Sequence, residues 1–179
     1  MKSATITKKH LRRTALALVV IAAVAIIGTN VIGDLRSQAQ ATKEAAAAAT
    51  GALREAMWFD HAEGQQAWAE RIQPLCTTNG WAFWGGPFFA GQVWPTMVAR
   101  RYTTHDIEIL DAHVIGDGDV PDSKIIQVSL GIKYTLGDGT TDRMVSTNTV
   151  VMVNQDGQWL MDTPLERWRE KARGQEVRR

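Results

Sequence analysis

Three pairs of residues have types and spacing that could carry acid–base chemistry: Asp60 beside His61, His105 beside Asp106, and Asp111 with His113 two positions later. A general base needs a partner that positions it and an environment that tunes its pKa, and spacing alone supplies neither. Asp60 is sufficiently explained as a helix cap, which leaves His61 as a first-turn surface residue. Asp111 and His113 share one strand face and are the candidates for polar residues lining a cavity, although a polar outer face is the favoured reading. His61, His105 and His113 have no metal-ligand spacing with Cys76, the only cysteine. "GDGDV" and "GDGTTD" read as turns, and no phosphate loop or nucleophile motif occurs. No catalytic residue, cofactor or metal is therefore expected.

The stronger signal is aromatic. "WAFWGGPFFAGQVW", residues 81–94, holds six rings, while the whole chain has seven Trp, four Phe and two Tyr. Gly85, Gly86, Pro87 and Gly91 oppose one continuous helix there, so irregular turns should aim the rings in different directions. About half of them are expected to fill the interior. The others, with Phe88, Phe89 and Trp94 as candidates, are expected to form a lip that a partner covers; Trp81 and Trp84 complete the set of candidate partner-binding residues.

The elements that must position these residues begin with a membrane anchor. Lys2, Lys8, Lys9, Arg12 and Arg13 precede an apolar run that reaches from Ala15 to Gly33 with its weaker end, close to the ~20 residues a membrane helix needs. Basic residues on that flank put the N-terminus in the cytoplasm and the rest of the chain outside. A cleaved signal peptide ending at Ala39-Gln40-Ala41 is the rival reading, disfavoured because that site lies beyond Asp34 and Arg36. The expected division is a cytoplasmic tail (1–14), a transmembrane helix (15–33), a helical stalk (34–52), an extracytoplasmic domain (53–173) and a basic tail (174–179). With 179 residues, one core is expected.

Five of the 20 basic residues precede the span, leaving 15 against 19 acids, so the exported part carries about four negative charges. Such a domain has no electrostatic footprint for nucleic acid. Cys76 cannot form an internal disulfide and reads as a small buried hydrophobe or a thiol free for a partner.

Ala, Gln, Glu and Lys without Pro predict a helix from Leu35 to Ala56. A second helix is expected from Asp60, with Glu63 at capping-box spacing, Trp68, Ile72 and Leu75 on one face, and Pro74 near its end. The period then changes to two. A strand from Asp106 to Ile115 slips phase between Ile109 and Leu110, as at a bulge. Ile126, Val128, Leu130, Ile132 and Tyr134 alternate with polar residues, and Val145, Thr147, Thr149, Val151 and Val153 line one face of the next strand. A short strand surrounds Trp159 and Met161, and Thr163-Pro164-Leu165-Glu166 reads as the capping box of a last helix. The sum is an α+β domain with an antiparallel meander of three or four strands.

This order, with the "AWAERIQPLCT" helix end, the "IIQVSLGIKYTL" and "STNTVVMV" strands and the closing "GQWLMDTPL", resembles the NTF2-like fold, a cone of curved sheet wrapped around helices. Among membrane-anchored members it is similar to VirB8-like and TcpC-like subunits of conjugative transfer and type IV secretion machines. Mce-associated proteins resemble the same architecture. The resemblance covers roughly residues 45–168. It implies a non-catalytic subunit of a bacterial envelope complex in the cell membrane, which associates with itself and with other envelope proteins. The alternative it leaves open is an NTF2-like small-molecule binder or enzyme using the cone.

Overall fold

The computed structural model describes residues 8–86 and 89–164, with backbone alone for residues 8–32. The chain divides into two units, Met1–Ala41 and Thr42–Arg179. Helix α1, Lys8–Met57, contributes residues to both. Among the described residues no helix is long and apolar enough to cross a membrane. The span expected at 15–33 falls almost wholly where side chains lie outside the described residues.

In the second unit, α1 buries Ala45, Ala49, Ala52, Leu53 and Ala56, all at 3% exposure or less. These positions recur every three or four residues and so share one face. Burial thus begins at Ala45, inside the stretch expected as a helical stalk (34–52), because alanine lets a helix pack closely even though each methyl buries little. The chain leaves α1 through Phe59, whose N–H donates to Thr104 Oγ1 (3.1 Å) and whose carbonyl accepts from Thr104 N (2.7 Å).

Helix α2 spans Gln65–Ile72, later than the sequence suggests. Asp60 caps no helix. Its Oδ1 accepts from Ala62 N at 2.9 Å in a turn, Gly64 takes the N-cap position, and Glu63 pairs with Arg71 instead of reaching back to the cap. Gly64 has φ of 91°, a conformation open to glycine, and this sets the true helix start. A 3-10 turn at Gln73–Leu75 carries Pro74 and ends the segment. Helix α3, Thr78–Trp84, follows, then a π-helical turn at Phe89–Val93 and helix α4, Trp94–Ala99.

The strands form one antiparallel sheet in the order β1-β2-β3-β4: Thr103–Asp117, Ser123–Thr135, Thr141–Gln155 and Gln158–Pro164. Helices pack on this sheet, giving the expected α+β class. Ile126, Val128, Leu130 and Ile132 are 1% exposed or less and form the central inward row. Their register partners are Val150, Asn148, Ser146 and Met144 on β3, and Val114, Ala112, Ile109 and Ile107 on β1. Val145, by contrast, lies on the other face and is 64% exposed. The row it heads is not the main core face of β3, although Val151 and Val153 are buried with Ile125 at its far end. The expected bulge at Leu110 is present, and two more interrupt the β1 register between Thr104 and Asp106 and between Val114 and Gly116. Asp156 (φ 54°) and Gly157 (φ 87°) make the tight hairpin turn from β3 to β4, as an Asp-Gly pair favours.

Pro164 belongs to β4 and pairs with Val150, so Thr163 and Pro164 do not open a helix. The remainder of the expected last helix, with the basic tail, lies outside the described residues.

The junction between α3 and β4 is close. Thr77 N donates to Met161 O at 3.0 Å, and Thr77 Oγ1 caps α3 by accepting from Gly80 N at 2.9 Å. A Cβ on Gly80 would lie 2.1 Å from Met161 O. Gly80→Ala should therefore force α3 off β4 and cost about 1–3 kcal/mol, whereas Thr77→Ala should cost about 1 kcal/mol through the lost cap. Urea denaturation of both variants checks this, and a Gly80→Ala midpoint equal to wild type would contradict the close approach.

Candidate functional site

The aromatic stretch becomes a site only with rings brought from elsewhere. Thr77 starts α3, which places Trp84 at its buried end, 4% exposed. Two glycines then let the chain turn away: a Cβ on Gly86 would lie 2.0 Å from Ala82 O, and one on Gly85 would lie 2.4 Å from the Trp81 ring. Phe89 follows, with its ring centroid 5.3 Å from that of Trp84 in an edge-on arrangement. It also stacks on Trp68 of α2 at 4.8 Å and on Phe59 at 5.8 Å. Trp94, next to the Pro95 that suits a first helical turn, lies 5.7 Å from Phe59 and 5.8 Å from Trp68. Phe59 meets Tyr102 edge-on at 6.2 Å, and Tyr102 stacks on Tyr134 of β2 at 4.6 Å.

Phe89 and Trp94 are each only 6% exposed, so they are not the open lip expected of them. The reason is geometric. The π-helical turn and α4 fold both rings back onto Trp68 and Phe59, where each gains several ring contacts worth about 0.5–1.5 kcal/mol beyond burial. Trp84 joins them in the interior. Trp81 is half-buried. Phe88 lies outside the described residues.

Trp68 is fully buried and donates its indole N–H to Ala56 O at 3.2 Å, which ties α2 to α1. The indole nitrogens of Trp84 and Trp159 are buried and have no hydrogen-bond partner among the described residues. Arg71, absent from the sequence-level candidates, closes the outer edge of this region. Its Nη1 pairs with Glu63 and its Nη2 donates to Trp58 O at 3.0 Å. Its Nε lies 3.3 Å from Glu55 Oε2, in ionic contact but off the line of a hydrogen bond.

The acid–base candidates are elsewhere. Asp111 pairs in register with Ser129 and His113 with Gln127, on the sheet face opposite the Ile126 row. The bulge at Leu110 shifts the phase and turns them outward, so they line no interior cavity. His113 Nδ1 and Asp111 Oδ2 are 2.8 Å apart, with both side chains at least half exposed. His105 is hydrogen-bonded to Thr135 Oγ1 (2.7 Å), and His61 Nδ1 lies 3.0 Å from Thr103 Oγ1. No group of three His, Cys, Asp or Glu could hold a metal ion among the described residues.

Cys76 is buried beside β4 in a bridge to Met161. Burial, and then the charge of Asp162, push its thiol up from an ordinary 9.0 to about 12. A neutral buried thiol is a poor nucleophile. Tyr102 is also pushed up to about 12, by burial and then by Tyr134.

No protein-family model matches this chain, and no characterised protein matches it well enough to count as a relative. The arrangement of its own residues is the ground for any functional reading.

Two outcomes follow from the rings and the thiol. Trp68→Ala should cost about 3–5 kcal/mol, since it removes the ring that Phe59, Phe89 and Trp94 all touch, whereas Trp81→Ala should cost much less. Chemical denaturation of the two variants gives the comparison, and equal losses would contradict a cluster centred on Trp68. The second concerns pH. Below about pH 9 the raised pKa values of Cys76 and Tyr102 leave stability unaffected, because both groups are neutral in either state. As pH rises from 9 toward 12 the unfolded chain releases these protons first, so stability falls. In Cys76→Ala the fall should begin only near the ordinary Tyr value of 10.0. Denaturation midpoints measured across this range test the order.

Proposed function

We propose that this chain is a non-catalytic, membrane-anchored scaffold subunit of a bacterial envelope complex, built on an NTF2-like cone and similar in element order to VirB8-like components of conjugative transfer or type IV secretion systems. The apolar run at 15–33 is its single-pass anchor, with the N-terminus cytoplasmic and the domain outside. The observation that carries the reading is the filling of the interior by rings. Phe59, Trp68, Trp84, Phe89, Trp94 and Tyr102 are all 6% exposed or less and lie among the helices and β2, where an NTF2-like enzyme would need a cavity with acid–base groups. The pairs with catalytic residue types, Asp60 with His61 and Asp111 with His113, instead lie at the surface. A protein whose polar chemistry faces outward acts through its surfaces, on other envelope proteins or on further copies of itself.

Chemical cross-linking in intact membranes, followed by capture of the tagged full chain, tests this. The expected result is a defined set of envelope proteins or a ladder of the chain's own oligomers. Recovery of the chain alone and monomeric, in membranes where it is expressed at its native level, would contradict it.

A further inference from the structure

Outside the ring cluster, one surface of the second unit combines shape with a charge pattern. An open groove of about 510 Å³ is lined by Glu44, Gly51 and Glu55 of α1, with Leu75 and Trp159 among the residues that complete it. Trp159 is 9% exposed, and its buried indole N–H has no acceptor among the described residues. Glu44 and Glu55 are eleven positions apart, about three helical turns, so they stand on one flank of α1. Lys43 and Arg54 have the same separation and occupy the adjoining flank, both exposed and in no ion pair with the described residues.

Between the flanks lie exposed Ala47 and Gly51. A Cβ on Gly51 would meet nothing within 4 Å, so no contact among the described residues explains a glycine there. Glycine in a helix interior is destabilising relative to alanine, and its compensating use is close approach by another backbone.

We propose that this face of α1 is a self-association surface, on which a second copy of the chain packs its own α1 in parallel about a two-fold axis. Such an axis sets each flank of one helix against the opposite flank of the other at the same height. Lys43 and Arg54 of each copy then meet Glu44 and Glu55 of the other, and the small Ala47 and Gly51 lie at the centre. The long basic side chains enter the partner's groove, with aliphatic stems against Leu75 and Trp159 and charged ends at its carboxylates. A face with basic and acidic flanks in the same three turns is complementary to itself in this arrangement. Parallel packing is also the one open to two copies held by N-terminal anchors, and to that extent the inference rests on the anchored-scaffold reading.

Two double variants of the full chain in nanodiscs test it: Glu44→Lys with Glu55→Lys, and Lys43→Glu with Arg54→Glu. Each alone should self-associate at least about tenfold more weakly than wild type, and an equimolar mixture should recover association as a heterodimer, read by energy transfer between differently labelled copies. Since Glu55→Lys also removes a contact of Arg71, a circular dichroism melt accompanies it, and Gly51→Trp, which leaves every charge in place, should weaken association as well. Variants that associate like wild type, or a mixture no better than its components, overturn the α1 face. If wild type still oligomerises in that case, the scaffold reading stands and another surface serves it. A wild-type chain that is monomeric in nanodiscs also overturns the α1 face, while partners recovered by cross-linking would still support the scaffold.

Discussion

The stacking of Phe89 on Trp68, 4.8 Å apart and 16° from parallel, is the contact on which the domain depends. It joins an irregular turn to a two-turn helix, neither of which has enough local hydrogen bonding to hold its place alone. Trp68 is in turn tied to Ala56 of α1 by its indole N–H, and Phe59 passes from the same cluster into hydrogen bonds with Thr104 at the start of β1. Four short helical segments thus reach a common position through rings rather than through long amphipathic faces. α1 has little but alanine to offer that core, so aromatic volume supplies what its methyl groups lack.

The same constraint shapes what the protein can do. An interior occupied by large apolar rings takes in ionisable groups only at a desolvation cost, and burial raises the pKa of both Cys76 and Tyr102. Charge is therefore displaced to the outside, into surface pairs such as Arg143 with Glu108 (2.6 Å) and into the charged flanks of α1. Pairs this exposed contribute little to folding. A second surface of opposite charge, as in the proposed α1 interface, is where such groups would count for more.

Much of the sheet was legible in the sequence because a half-buried strand writes its geometry as a period of two. Ile126 to Ile132 show it plainly, and even the bulge at Leu110 was visible as a slip in that period. β3 was harder to orient, since Val150, Val151, Met152 and Val153 are all buried and so carry no alternation to mark the core side. The start of α2 was obscured because Asp60 and Glu63 imitate a capping box, and only the backbone at Gly64 shows which residue begins the helix. The aromatic stretch was recognisable as important, yet its burial was not, because the partners of Phe89 and Trp94 are Trp68 and Phe59, more than twenty positions away in sequence. Asp111 and His113 lie on the outer face, the favoured reading, because the one residue inserted at Leu110 sets the side of the sheet they face.

The central claim is that rings fill the interior and leave surfaces to do the work. Fluorine NMR of the protein labelled with 5-fluorotryptophan tests it directly, with each of the seven indoles assigned by substitution and a panel of apolar small molecules added in turn. The account predicts that the signals of Trp68, Trp84 and Trp94 stay unmoved at every concentration. A saturable shift at any of these three would reveal a ligand cavity among the rings and contradict it.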